Sequence, residues 1–208
     1  MFNTKGGYSI MRSHYQKAYF LKSVAKMPQL PPDEGIEVAI VGRSNAGKSS
    51  ILNYITQSKR LARVSKMPGR TQLLNVFVLD ETRRLIDLPG YGYSKAPPQV
   101  RDNWQTLLDH YLRSRKSLKG LLLIMDIRHP FRPLDHVLLK FCSDYQLPVH
   151  ILLNKRDKLS KSEAAKLLKL APLSLTDYGN SVTFQSFSAQ TGDGAEALYE
   201  LLNMWYEL

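Results

Sequence analysis

The run Gly42-Arg43-Ser44-Asn45-Ala46-Gly47-Lys48-Ser49 has the glycine frame and the terminal Lys-Ser pair of a phosphate-binding loop. Such glycines let the backbone curl until successive N–H groups face phosphate oxygens. The Lys48 ammonium then neutralises charge on the β and γ phosphates, and the Ser49 hydroxyl is a ligand for Mg²⁺. The pattern has this meaning only where a strand runs into a helix. Here the apolar run Val38 to Val41 precedes it and Ser50-Ile51-Leu52 opens a helical stretch after it. Further on, Asp87-Leu88-Pro89-Gly90 closes a second strand. Its aspartate is suited to hold Mg²⁺ through water, and the Gly90 N–H to meet a γ-phosphate.

A third group, Asn154-Lys155-Arg156-Asp157, follows the strand Val149 to Leu153 and selects the base. A carboxylate at Asp157 accepts from both N1–H and the exocyclic amine of guanine, whereas adenine offers no such donor pair. Asn154 is expected to brace neighbouring loops, and the Lys155 stem to lie over the purine face. Phe187, Ser188 and Ala189 end the last strand and line the same site, with a backbone N–H of the Ser188-Ala189-Gln190 turn for the guanine O6.

These groups need a scaffold that brings them to one edge. Short apolar runs at Val38 to Val41, Leu73 to Leu79, Leu85 to Asp87, Gly120 to Asp126, Val149 to Asn154 and Val182 to Phe187 read as six strands. Amphipathic stretches at Lys48 to Ile55, Gln99 to Arg115, Pro133 to Tyr145, Lys161 to Leu170 and Ala195 to Tyr206 read as five helices. The expected fold is α/β: a three-layer αβα sandwich around a six-stranded, mainly parallel sheet. The short link Asp80 to Arg84 makes one edge strand antiparallel. Open sheets of this kind bind ligands at the carboxyl ends of their strands, where all four motifs fall.

With 208 residues the chain suits one domain, expected over residues 36–208 and preceded by a basic extension over residues 1–35. The formal net charge of +11 points to an anionic partner. The single Cys142 excludes an intramolecular disulfide framework and fits the cytoplasm, and no apolar stretch approaches the roughly 18 residues of a membrane span. His14, His110, His129, His136 and His150 show no metal-ligand spacing.

Taken with Pro68-Gly69-Arg70-Thr71-Gln72 and Asp87-Leu88-Pro89-Gly90-Tyr91-Gly92-Tyr93, these motifs resemble the translation-factor-class P-loop GTPases, and among them the EngB (YihA/YsxC) family of bacterial ribosome-assembly GTPases. The resemblance covers nearly the whole chain. It implies that Thr71 is the switch I threonine, reaching Mg²⁺ beside Ser49 and Asp87 when a γ-phosphate is present, and that Gly69, Arg70, Gln72 and Leu73 lie at the nucleotide. It further implies hydrolysis of GTP to GDP and phosphate, with Lys48, Thr71, Gly90 and Asn45 as the catalytic set, a role in assembly of the large ribosomal subunit, and a requirement in division and septation. The chain is expected to be a monomer that contacts the subunit precursor and its rRNA, and no membrane. The contacts are expected through the basic N-terminal segment and through a switch I carrying Lys59, Arg60, Arg63, Lys66 and Arg70. The competing expectation is a septin-like or membrane-associated division scaffold.

Many GTPases orient the attacking water with a glutamine after Asp-x-x-Gly, and Tyr91 stands there instead. Slow intrinsic turnover is expected, with help from the ribosome or from a K⁺ ion ligated by Asn45.

Overall fold

The computed structural model describes residues 12–58, 61, 73–91 and 98–208, and over 98–105 the backbone alone. The strands are β1 (Tyr19–Val24), β2 (Ile36–Gly42), β3 (Leu74–Val78), β4 (Arg83–Asp87), β5 (Leu118–Asp126), β6 (Val149–Asn154) and β7 (Val182–Ser186). They form a seven-stranded sheet in the order β1-β3-β4-β2-β5-β6-β7. Among the described residues the long helices are α1 (Lys48–Thr56), α2 (Pro98–Ser114), α3 (Pro133–Asp144), α4 (Lys161–Leu170) and α5 (Ala195–Tyr206), and a short helical stretch covers 12–16.

Each central strand is buried on both faces, so it reads as an unbroken apolar run whose alternate residues serve different cores. In β2, Val38 and Ile40 join Ile51, Leu52 and Ile55 of α1 and Leu198, Tyr199 and Leu202 of α5. Ala39 and Val41 face the other way, with Tyr111 and Leu112 of α2 and Leu139 and Cys142 of α3. In α5 the buried positions Ala195, Leu198, Tyr199, Leu202 and Tyr206 recur at helical spacing, so one stripe covers the sheet.

Two expectations change. The sheet has a seventh strand, β1, drawn from the segment expected to be an extension. The antiparallel strand is β3, which β1 covers, so β3 is not an edge. β1 escapes a pattern search because it is an edge strand with a register shift between Phe20 and Lys22, and Tyr19, Leu21 and Lys22 are exposed. The short helical stretch before it, 12–16, is anchored by Tyr15. That ring is fully buried, lies 5.4 Å from the Tyr199 ring, and donates its hydroxyl to Asn203 Oδ1 at 2.7 Å.

The proline-rich stretch before β2 is held by a buried charge. Glu37 is 0% exposed and accepts from Arg115 Nη2 at 2.7 Å, Arg115 Nε at 2.9 Å and the Tyr111 hydroxyl at 2.9 Å. Arg115 also donates to the Pro31 carbonyl at 2.9 Å, and Asp33 accepts from the Ser117 N–H at 2.9 Å. Removing Arg115 leaves the buried Glu37 with the Tyr111 hydroxyl and only a longer contact to Arg84 Nη1 at 3.5 Å. Arg115→Ala is therefore expected to lower unfolding free energy by about 3–5 kcal/mol in urea titrations; a loss under about 1 kcal/mol would show Glu37 to be compensated elsewhere.

His150 in β6 is buried, with Nδ1 2.7 Å from Thr183 Oγ1 and Nε2 3.1 Å from Gln185 Oε1. Burial pushes its pKa from 6.5 down to about 4. Below pH 6.5 the unfolded chain takes a proton that the folded chain refuses. This contribution is complete above pH 6.5 and is lost as pH falls toward about 4, to an extent of up to roughly 3 kcal/mol. Tm should fall over that window in the native protein, and His150→Gln should flatten that part of the profile.

Candidate functional site

The loop Arg43 to Gly47 leaves β2 and enters α1 at the carboxyl edge of the sheet. Gly42 allows the central pairing: a Cβ there would sit 2.6 Å from the Ile124 carbonyl oxygen of β5. Gly47 has φ of +102°, and a Cβ would lie 2.2 Å from Asn154 Nδ2. No acidic residue occupies the first turn of α1, so the N–H groups of Lys48 and Ser49 and the positive dipole end face outward toward an anion, while the Ser50 N–H pairs with the Gly47 carbonyl at 2.9 Å. Asn45 and Ser44 are exposed at the bend, and Ala46 is buried beneath it.

Asp87, 5% exposed, ends β4 beside this loop. One carboxylate oxygen contacts the Lys48 ammonium, and the other accepts from Asn75 Nδ2 at 3.0 Å. Leu88 is buried, and its N–H pairs with the Ile40 carbonyl at 2.9 Å; Pro89 and Gly90 then lead to Tyr91, which bridges to Arg43. The Tyr91 hydroxyl donates to Asp135 Oδ1 of α3 at 2.6 Å, and burial beside that carboxylate raises the phenol's pKa far above its ordinary value. The ring is thus a strut between loop and helix.

Asn154 joins three loops. Its Nδ2 donates to the Ala46 carbonyl at 2.9 Å, and its Oδ1 accepts from the Ala189 N–H at 3.3 Å. Lys155 Nζ donates to the Asn45 carbonyl at 2.6 Å and to Asp126 Oδ2 at 2.9 Å. Asp126 is held well below the usual carboxylate range, first by the Arg128 guanidinium and then by Lys155. Asp157 accepts from the Ser188 hydroxyl at 2.7 Å, which lowers its pKa, with Lys158 3.3 Å away. Arg156 turns back to the Leu159 carbonyl at 2.9 Å, and its N–H meets the Phe187 carbonyl at 3.0 Å. The Phe187 side chain lies in the core against Tyr54, so only its backbone borders the site.

The structure therefore brings together Gly42 to Ser50, Asp87 to Gly90, Asn154 to Asp157 and Phe187 to Ala189. Gly69, Arg70, Thr71 and Gln72 fall outside the described residues, as do Lys59, Arg60, Arg63, Lys66, Gly92 and Tyr93; Leu73 precedes β3. Sequence reasoning missed Asn75 and Asp126. The available signal was a polar residue placed opposite a motif residue, since Asn75 pairs with Asp87 and Asp126 with Asn154.

No group of three or more His, Cys, Asp or Glu able to hold a metal occurs among the described residues. One carboxylate, Asp87, with the Ser49 hydroxyl is a hard-oxygen set that fits Mg²⁺, which takes few protein ligands and completes its shell with water and phosphate oxygens. Cys142 is buried, and burial pushes its thiol up to about 12. A cavity of about 250 Å³ opens beside the loop, bordered by Arg43, Asn45, Asp126, Arg128 and Lys155.

The strut has a measurable consequence. Tyr91→Phe leaves the Asp135 carboxylate short of a buried donor, so stability should fall by about 1–3 kcal/mol in denaturant. An unchanged midpoint would mean that the hydroxyl bears no load.

Residues 37–155 match the family of 50S ribosome-binding GTPases. The chain is 49% identical to a GTP-binding protein EngB of Coxiella burnetii over 92% of its own length and 94% of that protein. It is 45% identical to the EngB protein of Histophilus somni over 94% of its length and 96% of the relative. A crystal structure of an EngB protein superposes with a TM-score of 0.67 at 24% identity, over 82% of this chain and 98% of that one. Aquifex aeolicus Era bound to GDP and AlF4⁻ shares the fold with a TM-score of 0.61 at 21% identity, over 83% of this chain and 57% of Era. With the phosphate loop, the Asp87 turn and the Asn154 brace at one sheet edge, the chain belongs to the EngB family of GTP-binding proteins and is a GTPase.

Proposed function

We propose that this GTPase is a cytoplasmic, monomeric switch in assembly of the large ribosomal subunit, binding the precursor in its GTP state and leaving after hydrolysis. The observation that carries the reading is the match of residues 37–155 to a family described by its binding to the 50S ribosome. The net charge of +11 agrees with a partner rich in phosphate. Normal division and septation then depend on the supply of ribosomes.

In this reading the loop from Arg43 to Ser50 wraps the phosphates, and Lys48 leaves Asp87 to neutralise their β and γ oxygens. Ser49, Thr71 and Asp87 hold Mg²⁺, which when bound offsets charge on the same oxygens. The Asp157 carboxylate, ionised at neutral pH, accepts both guanine donors, while Asn154 and Ala189 keep the base loops in register with the phosphate loop. Gly90 and Thr71 meet the γ-phosphate. Hydrolysis needs a positioned water, and the Tyr91 hydroxyl is already committed to Asp135. Intrinsic turnover is slow, and acceleration comes from the ribosome or from K⁺ at Asn45. The residues before 36 add basic charge to the GTPase domain, whose sheet takes β1 from that segment.

Base selection is tested by Asp157→Asn. It exchanges an acceptor pair for one acceptor and one donor, so GTP affinity should drop about 100-fold or more while affinity for the xanthine nucleotide rises. Loss of both affinities alike would place Asp157 outside base recognition. The ribosomal reading is tested by co-sedimentation with large subunits in GDP or in a non-hydrolysable GTP analogue. Binding should be confined to the analogue and weaken with salt, and hydrolysis with subunits should be faster in K⁺ than in Na⁺. Filaments or liposome binding without subunit binding would favour a division scaffold instead. Equal rates in the two cations would remove K⁺ from the mechanism.

A further inference from the structure

Ser23, Asn75 and Asp87 stand in one row across three neighbouring strands: Ser23 of β1 pairs with Asn75 of β3, and Asn75 with Asp87 of β4. Their side chains are joined in the same order. The Ser23 hydroxyl donates to Asn75 Oδ1 at 2.7 Å, Asn75 Nδ2 donates to Asp87 Oδ2 at 3.0 Å, and Asp87 Oδ1 meets the Lys48 ammonium. Chemistry sets the direction of the row. An ionised carboxylate only accepts, so the amide must turn its NH₂ toward Asp87; its carbonyl then faces Ser23, whose hydroxyl is the donor it needs.

Asn75 is 4% exposed and sits among the core residues Leu74, Val76 and Phe77, where an apolar side chain would pack more cheaply. What the amide adds is orientation. With Oδ2 committed to Asn75, the carboxylate of Asp87 has one oxygen left, and that oxygen is turned to the phosphate loop.

We propose that Asn75, itself oriented by Ser23, is a positioning residue for Asp87, and that it sets the affinity of the nucleotide site for Mg²⁺. The proposal rests on the reading of Asp87 as the Mg²⁺ aspartate. A carboxylate already fixed by an outer hydrogen bond has less freedom to lose when the metal arrives, and such outer partners typically change metal affinity 10- to 100-fold. The row also makes β1 part of the metal site's support, although β1 lies far from the loop in sequence.

The test uses the full chain loaded with a fluorescent GDP, with its release followed from chelated to millimolar Mg²⁺. In the native protein Mg²⁺ should slow release. Asn75→Leu should need about 10- to 100-fold more Mg²⁺ for the same fractional slowing, each protein being measured against its own release rate in chelator. Ser23→Ala should shift the Mg²⁺ midpoint in the same direction by less, and Ser23→Thr, which keeps the hydroxyl, should restore it. If Asn75→Leu does not fold by circular dichroism, the half-buried Ser23 pair carries the test. Native midpoints in the variants overturn the proposal, as does equal acceleration with and without Mg²⁺, which would make the row a support of the loop and not of the metal. Release from the native protein that ignores Mg²⁺ would instead remove Asp87 as the metal aspartate, and the proposal with it.

Discussion

The Asn154 amide is the contact on which the nucleotide site depends. It grips the Ala46 carbonyl with one end and the Ala189 N–H with the other, so the phosphate loop, the base-recognition turn and the last loop keep one spacing. The grip needs room. Only a residue without Cβ fits at Gly47, where any side-chain atom would meet Asn154 Nδ2, and the positive φ there independently favours glycine. Lys155 adds a second tie by reaching the Asn45 carbonyl. A loop held at its outer bend and near its helical end arrives shaped for phosphate, so less ordering is left for the nucleotide to drive.

Charge is handled locally before any is left for a partner. Lys48 lies on Asp87, Lys155 and Arg128 share Asp126, and Lys158 sits by Asp157. At the other end of β2, Arg84 and Arg115 converge on Glu37. The cations of the site edge are thus largely paired, and each holds a loop in shape. The surplus behind the +11 lies elsewhere by sequence, in residues 1–32 with five basic and no acidic residues, and in Lys59, Arg60, Arg63, Lys66 and Arg70. That division separates the paired charges of the site edge from the surplus that gives the chain its net charge.

Tyr91 shows how one position changes the chemistry of a shared scaffold. A glutamine at this point has an amide free to hold water, whereas the phenol is bound to Asp135, which itself accepts from the Arg132 N–H at 2.7 Å at the start of α3. The loop after Asp87 gains a rigid root and gives up a water-orienting group. The Tyr91 hydroxyl is thus committed to holding loop and helix together.

The sequence by itself determined the parts whose signal is local. A phosphate loop must have its glycines, its lysine and its serine within a single strand-to-helix turn, so Gly42 to Ser49 could be read directly, as could the two-faced apolar runs that became β2, β5 and β6. Asn154 to Asp157 could be picked out for the same reason, since they form one short turn at the end of β6. Only the tertiary structure decided what depends on register between distant segments. β1 is too polar and irregular to announce itself, and it exists because β3 offers it an edge. Asn75 and Asp126 acquire meaning only once pairing sets them beside Asp87 and Asn154. Glu37 reads as a surface acid until Arg115 and Tyr111 close over it. The physical reason is common to these cases: a buried polar group is defined by its partner, and the partner lies from 12 to 78 residues away in sequence but within hydrogen-bonding distance in space.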